Sequence, residues 1–214
     1  MKLTKKEIDD RHSLLALLHS YGFIGFMHTT EYRNLLGILK SRAIIPRYSL
    51  SKEEFIDVAN QDVLLHTNID ITQTTRFYYK EKTPTNFKAN YTNPVIIIVN
   101  ELIIFDPKAI FCSGNAGSDF TVKTKIAEEA LKFNWELIFE RGIHSESKCE
   151  ITDQIKKRSI ITNHRNAEFL YDGKVATDKI TKIIFKKENA STEFENLIHS
   201  DCDIQIKPEY FRKD

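Results

Sequence analysis

The sequence predicts an α+β fold in which most strands are antiparallel. Two observations support this class: short apolar runs typical of strands alternate with amphipathic helical segments, and turn residues lie between them. The chain has 214 residues, of which 41% are hydrophobic and 29% are charged, so it can bury a sizeable core. It contains no internal repeat and no linker rich in Pro, Gly or Ser, and we therefore predict one domain over residues 1–214.

Two helices are predicted in the first fifth of the chain. Residues 8–20 carry a stripe of leucines at helical spacing. Residues 31–41 repeat that pattern, with Thr29 or Thr30 as the expected cap and an end near Arg42.

Seven segments have the apolar or alternating pattern of strands. They are residues 23–28, 43–45, 94–99, 109–112, 167–171, 180–185 and 203–211. The run that begins at Pro94 is almost continuously β-branched, which is typical of a central strand. Asp172, Gly173 and Lys174 supply the chemistry of a turn between two of these segments.

The second half of the chain has weaker helical signals. Asp119 or Thr121 is the expected cap of a helix that runs to Phe133. Residues 140–160 are charged and weakly periodic, and are predicted as a loop with a possible short helix. Residues 192–200 are predicted as a short final helix.

Composition limits the functional classes and the compartment. The net charge of +1 gives no overall attraction to nucleic acid, although lysines cluster late in the chain at 179, 182, 186 and 187. Three widely spaced cysteines indicate neither a disulfide framework nor a zinc site, so we expect no metal. Charged residues interrupt the N-terminus where a signal peptide would be apolar, and the run at 95–105 is too short to span a bilayer. We therefore expect a soluble, cytoplasmic protein.

Glu168 is the candidate for chemistry. It lies in the predicted strand 167–171, whose alternation places Phe169 on one face and Glu168 with Leu170 on the other. A carboxylate beside apolar surface is costly unless it is paired or used. The alternative is structural: Glu168 at a sheet edge, paired with Arg165 or Lys182.

Several motifs read together resemble one family. They are FMHTTEYRNLLGILKSRAI, RFYYKEKTPT, FCSGNAGS, KFNW, RNAEFL and IKPEYF, which occur in this order between residues 26 and 211. Together they resemble the DarT family, bacterial toxins that transfer ADP-ribose from NAD to a base of single-stranded DNA. The resemblance implies an ADP-ribosyltransferase fold, with a split, mostly antiparallel sheet, flanking helices and NAD in the cleft between the halves.

The resemblance also implies roles for individual residues. Glu168 matches the catalytic glutamate, which would stabilise the positive charge that develops on the ribose. NAD contacts are implied for two further groups of residues. These are His28, Thr29 and Thr30, at the start of the NAD site, and Gly37 and Ile45 beyond it. No metal is implied.

The sequence departs from the family at one place. Known members carry an arginine shortly after an Ala-Asn pair, whereas Ala59 and Asn60 are followed here by a stretch with His66 and no arginine. Arg76 is the candidate replacement, with a surface arginine as the alternative reading. Because family branches modify thymine or guanine, the departure leaves the base undecided.

The implied partners are single-stranded DNA and a DarG-like macrodomain antitoxin, with a monomeric enzyme and no membrane. Aromatic and cationic residues that follow Arg76 suit stacking on unpaired bases, although alternate members must point into the core. They are Phe77, Tyr78, Tyr79, Lys80, Lys82 and Phe87. Two other functions remain open: transfer of ADP-ribose to RNA or protein on the same fold, and an inactive module that binds nucleotide or nucleic acid.

Overall fold

The computed structural model describes residues 2–51, 55, 69–83, 91–142, 147–187, 194, 197–198 and 200–211. Six α-helices lie in these ranges: α1 Lys5–Ser20, α2 Tyr32–Ser41, α3 Ile69–Thr72, α4 Ala127–Ala130, α5 Trp135–Phe139 and α6 Gln154–Arg165. The strands are β1 Phe26–Glu31, β2 Ala43–Ile44, β3 Thr74–Tyr78, β4 Pro94–Val99, β5 Ala109–Cys112, β6 Lys123–Thr124, β7 Glu168–Asp172, β8 Val175–Ala176, β9 Ile180–Phe185 and β10 Asp203–Ile206. Single 3-10 turns cover Arg47–Ser49, Glu101–Phe105, Thr177–Lys179 and Pro208–Tyr210.

Eight strands form the main sheet, in the order β10-β9-β4-β1-β3-β7-β5-β6, and β2 pairs with β8 in a second small sheet. All pairs are antiparallel except β10 with β9. The sheet divides between β1 and β3, which share only the pair Met27 and Tyr78 in the described part of the chain. By contrast, β3 and β7 pair along their whole length. The predicted α+β class and the split, mostly antiparallel sheet are confirmed.

The main core lies on one face of the sheet. Phe26, Phe77 and Phe169 come from β1, β3 and β7, and they pack with the leucines of α1. The rings of Phe26 and Phe169 stack with their centroids 3.8 Å apart, across the line where the sheet divides. Since side chains alternate along a strand, Glu168 must lie on the face opposite Phe169, as predicted. Two smaller apolar clusters cover parts of that other face.

Arg11 fixes α1 to the rest of the fold. Its side chain is buried, with 1% of the residue exposed. The guanidinium donates to the carbonyl oxygens of Ile104, Asp106 and Lys125. It also pairs with Glu7, at 2.9 Å from Nε to Oε1. The buried charge is therefore compensated by one carboxylate and three carbonyl groups from two connections of the chain.

The predicted helix caps at Thr29 and Thr30 are wrong. Both threonines extend β1, and α2 begins after Glu31, whose side chain makes no capping bond. The Glu31 carboxylate instead accepts hydrogen bonds from the backbone N–H groups of Thr92 and Asn93, at 3.0 and 2.9 Å. The six-residue pairing of β1 with β4 keeps the threonines extended. The predicted end of α2 near Arg42 is confirmed by the left-handed conformation of that residue.

The helical predictions for the second half were also wrong in part. No helix begins at Asp119 or Thr121, because Thr121 precedes β6 and its hydroxyl donates to the carbonyl of Asn115 at 2.7 Å. The possible short helix predicted within 140–160 is present as the start of α6, which is 12 residues long and which Asp153 caps at the backbone N–H of Lys156. The helix predicted at 192–200 lies largely outside the described residues.

The strand predictions fared better, with several exceptions. The first strand lies at Phe26–Glu31 and not at 23–28, and the two-residue strands β6 and β8 were missed. The segment 203–211 is a strand only as far as Ile206, because Pro208 begins a 3-10 turn. Strand β3 was missed, although it lies near the centre of the sheet. In the part of the chain that the structure describes, no helix combines the length and apolar character needed to cross a bilayer.

Candidate active site

Glu168 is the first residue of β7 and lies inside the sheet, between β3 and β5. It is buried, with 1% of the residue exposed. The structural alternative is wrong, because Arg165 pairs with Glu140 at 2.8 Å and Lys182 pairs with Asp203 at 3.3 Å. A buried interior carboxylate that forms neither expected pair needs another partner.

Arg76 is that partner. In the register of β3 and β7, Arg76 lies opposite Leu170, so it reaches Glu168 diagonally on the same face. Its Nη2 lies 2.6 Å from Oε1 and 2.9 Å from Oε2 of Glu168, and its Nε lies 3.0 Å from Oε1. Burial opposes the charge of Arg76, but the carboxylate outweighs it and raises the pKa of Arg76 above its ordinary value. The charged guanidinium thus binds both carboxylate oxygens as a fork.

The loop over residues 113–121 supplies a third donor to the carboxylate. The backbone N–H of Ala116 donates to Oε2 of Glu168 at 2.7 Å. The loop is fixed by α6, where the side-chain oxygen of Asn163 accepts from the N–H of Asn115 at 3.1 Å. A Cβ at Gly114 would lie 2.3 Å from Nδ2 of Asn163, so only glycine permits this contact. Both oxygens of Glu168 are thus held in one geometry.

Apolar surface surrounds the ion pair on this face. Ile71, Cys112, Ala116 and Leu170 form a small buried cluster there. Burial, and then the charge of Glu168, raise the pKa of the Cys112 thiol well above its usual range. Cys112 is consequently a protonated, unreactive neighbour that helps to exclude water from the carboxylate.

His28 bridges the two halves of the sheet near this pair. Its Nδ1 lies 3.0 Å from the backbone carbonyl oxygen of Arg76. Since a carbonyl only accepts, Nδ1 carries a proton and Nε2 is the acceptor in the neutral ring. Burial lowers the pKa of His28, and the hydrogen bond to Arg76 opposes this only in part. His28 therefore contacts the backbone of Arg76, whose side chain pairs with Glu168, while the imidazole itself packs against Phe77 on the core face of the sheet.

The remaining predicted NAD residues belong to β1, α2 and the residue after β2. Thr29 follows His28 in β1, and its carbonyl accepts from the Tyr91 hydroxyl at 3.3 Å. Thr30 is buried and accepts from the side chain of Asn34 in α2 at 3.3 Å. Gly37 is exposed on α2, and Ile45 is half-buried directly after β2. Ala59, Asn60 and His66, at the family's arginine position, lie outside the described residues.

Arg47 was missed by the sequence reading. It begins the 3-10 turn after Pro46, and its guanidinium lies over the ring of Phe55 at 5.4 Å from the centroid. Thr75 ties this region to β3, because its hydroxyl donates to the carbonyl oxygens of Ile44 at 3.4 Å and Gly173 at 2.6 Å. Burial, and then the like charge of Arg76, lower the pKa of Arg47. Two arginines therefore lie near one carboxylate.

The predicted base-stacking segment is mostly core. Phe77 and Tyr79 are buried, which confirms that alternate members of the segment point into the core, and Lys80 is buried as well. The Lys80 ammonium donates to the carbonyl oxygens of Ile138 and Glu140. Tyr78 is half-buried, Lys82 is exposed, and Phe87 lies outside the described residues.

Lys80 gives the fold a measurable pH dependence. Burial, followed by the charges of Arg165 and Arg141, lowers the pKa of Lys80 to about 7 from 10.5. Between about pH 7 and 10 the unfolded chain binds a proton that the folded chain lacks, so the free energy of unfolding rises with pH. Relative to Lys80→Met, we expect a rise of about 1 kcal/mol per pH unit, measured by urea unfolding at pH 7, 8 and 9. If the free energy of unfolding changed with pH in the same way in both proteins, Lys80 would not be the source of the pH dependence.

The chain is similar to proteins of one family. A family model described as "ssDNA thymidine ADP-ribosyltransferase, DarT" matches residues 27–212. Thermus sp. 2.9 DarT in complex with ADP-ribosylated ssDNA is similar in structure, with a TM-score of 0.71, 13% sequence identity, and coverage of 87% of this chain and 95% of that chain. The same protein in complex with NAD+ gives a TM-score of 0.66, 12% identity, and coverage of 87% and 96%.

A third similar structure is Thermosipho africanus DarTG in complex with ADP-ribose, with a TM-score of 0.68 and 15% identity. It is covered over 51% of its length by 88% of this chain. No curated protein matches the chain. The structural likenesses confirm the predicted ADP-ribosyltransferase fold, and, because the family match spans most of the sequence, the chain belongs to the DarT family of single-stranded DNA ADP-ribosyltransferases.

Proposed function

We propose that this protein is the toxin of a toxin–antitoxin system, and that it transfers ADP-ribose from NAD to a thymine or guanine base of single-stranded DNA. One observation carries the proposal. Arg76 binds both oxygens of the buried Glu168 carboxylate, and the backbone N–H of Ala116 donates to one of them. Such a preorganised negative charge suits a reaction in which positive charge develops on a ribose.

The reaction follows from these groups. The bond between C1′ of the ribose and the nicotinamide nitrogen breaks, and nicotinamide leaves with the bonding electrons. Glu168 stabilises the positive charge that develops on C1′ and its ring oxygen. A nitrogen of the base then bonds to C1′, and the proton that it loses passes to the Glu168 carboxylate. The base must be unstacked for this attack, which makes a single strand the least costly substrate.

The two arginines have different roles in this proposal. The Nε and Nη2 groups of Arg76 donate to the two oxygens of Glu168, so Arg76 is a positioning residue that fixes the carboxylate. Arg47 lies close enough to Arg76 for the like charge to add to burial in lowering the pKa of Arg47. Its guanidinium is our candidate for binding the anionic pyrophosphate of NAD, because arginine presents a planar, charged fork. His28, Thr29, Thr30, Gly37 and Ile45 would line the rest of the NAD site.

Kinetics of two variants separate these roles. Arg47→Gln should raise KM for NAD about tenfold, with kcat changed little, because a charge-assisted contact to bound substrate is lost in ground state and transition state alike. Arg76→Lys should lower kcat at least tenfold with KM for NAD nearly unchanged, because lysine cannot bind both carboxylate oxygens as a fork. If Arg76→Lys raised KM for NAD and Arg47→Gln did not, Arg76 and not Arg47 would be the residue that binds the pyrophosphate.

Mass spectrometry tests the function directly. Single-stranded oligonucleotides that each contain one reactive base type are incubated with the protein and NAD. We expect a gain of one ADP-ribose on one of them, and thymine is the first base to test because the family description names thymidine. No gain on any base, with NAD still consumed, would move the acceptor to RNA or protein.

Growth experiments test the cellular role. Expression of residues 1–214, which we propose fold as one domain, should stop growth of a bacterial host. A macrodomain that removes ADP-ribose from DNA, as expected of a DarG-like antitoxin, should restore growth. Toxicity that persists in a variant unable to modify DNA would overturn the role.

A further inference from the structure

Phe120 is an aromatic side chain held in water by a rigid loop. It is 87% exposed. The loop over residues 113–121 is nevertheless tightly bonded: the hydroxyl of Thr121 donates to the Asn115 carbonyl at 2.7 Å, and the N–H of Gly117 donates to the Asn115 side chain at 2.9 Å. A fixed loop that leaves a phenylalanine outside the core offers its ring to a partner.

This ring lies close to the catalytic carboxylate along the chain. Ala116, four residues before Phe120 in the same loop, donates its N–H to Glu168. Four residues of fully extended chain reach at most about 14 Å, which sets the upper limit of the separation between Ala116 and Phe120. A strand of nucleic acid spans this distance with a few nucleotides.

The helix that anchors this loop carries a lysine on the anchoring side. Lys156 is exposed and forms no ion pair within the described residues. It lies about two helical turns before Asn163, whose side chain anchors the loop, and therefore on the same side of α6, about 10 Å away along the helix axis. The acidic neighbour of the ring is Asp119, so a phosphate chain is favoured on the side of the helix.

A single strand of nucleic acid fits this surface, which offers the exposed ring of Phe120 and, on the helix that anchors its loop, the exposed lysine Lys156. Bases stack on aromatic rings whatever their sequence, and lysine or arginine follows the phosphates. Phe77 and Tyr79, in the segment first expected to stack on bases, cannot do so because both rings are buried in the core.

We propose that Phe120 stacks on an unpaired base adjacent to the target base, and that Lys156 binds a phosphate of the same strand. This inference rests on the proposed function for its catalytic meaning, but the binding surface can be measured without catalysis.

Binding of a fluorescent single-stranded 20-mer, without NAD, tests the stacking platform. Phe120→Ala should raise Kd about tenfold or more, whereas Phe120→Trp should stay within about twofold, because stacking needs a ring. Leu102→Ala removes another apolar side chain, 61% exposed, in the connection between β4 and β5, and should change nothing. An unchanged Kd in Phe120→Ala overturns the proposal. If Phe120→Ala weakened binding in a protein that modifies none of the oligonucleotides, that combination would support the binding surface and overturn the proposed function.

Salt dependence tests the lysine. For single strands the slope of log K against log salt changes by about 0.7 for each phosphate contact, so Lys156→Gln should reduce it by about 0.7. The control is Lys5→Gln, which removes the same charge at the start of α1. That helix packs on the face opposite Glu168. Equal slopes for the two variants would overturn this part of the proposal.

Discussion

Glu168→Gln lowers the rate of ADP-ribose transfer by about two to three orders of magnitude, which is the typical effect of removing one preorganised electrostatic group. Glutamine keeps the shape of the side chain but carries no negative charge to stabilise the ribose. Its amide also places donors against Arg76 or the Ala116 N–H. The measurement is single-turnover transfer to the reactive oligonucleotide at saturating NAD.

A matched control separates chemistry from packing. Glu7 has the same local partners as Glu168: it pairs with an arginine, Arg11, and accepts a backbone N–H from Ala127 at 3.0 Å. It lies on α1, away from the candidate site. Glu7→Gln should reduce stability yet leave the transfer rate unchanged at temperatures well below Tm. If Glu168→Gln retained a rate within tenfold of the natural protein, Glu168 would not be the catalytic group.

Arg11→Met is expected to have the largest effect on stability. The change leaves three carbonyl oxygens and the Glu7 carboxylate without their donor in a buried position. Breaking a buried ion pair from one side typically costs about 3–5 kcal/mol. For a chain of this length that corresponds to a fall in Tm on the order of 10 °C. Thermal and urea unfolding followed by circular dichroism measure both quantities.

The control is an arginine with no buried role. Arg33 is exposed on α2, and Arg33→Met should change the free energy of unfolding by no more than about 0.5 kcal/mol. A cost below 1 kcal/mol for Arg11→Met would mean that water replaces the guanidinium at the carbonyl groups. In that case Arg11 would not be what holds α1 against the connections around Ile104 and Lys125.

Local pattern predicted well the elements that depend on it. The apolar runs at 94–99, 109–112 and 180–185 form the strands they predict. The alternation around Glu168 also placed its side chain correctly, because a strand allows only two faces. The pattern failed where an element consists largely of polar residues. The first half of α6 contains two lysines and an arginine, and β3 begins with Thr74, Thr75 and Arg76. Neither segment has the periodicity that identifies a buried face.

By itself, then, the sequence determined the class of fold and the family resemblance, and it singled out Glu168 and His28 as candidate site residues. Only the tertiary structure decided which groups contact Glu168. Arg76 reaches it from 92 residues away through the register of β3 and β7. Hydrogen bonds of the same long-range kind tie β2 to β3 and the 113–121 loop to α6. Residue pattern reports which side chains must leave water, whereas such pairings depend on long-range contacts that no local pattern contains.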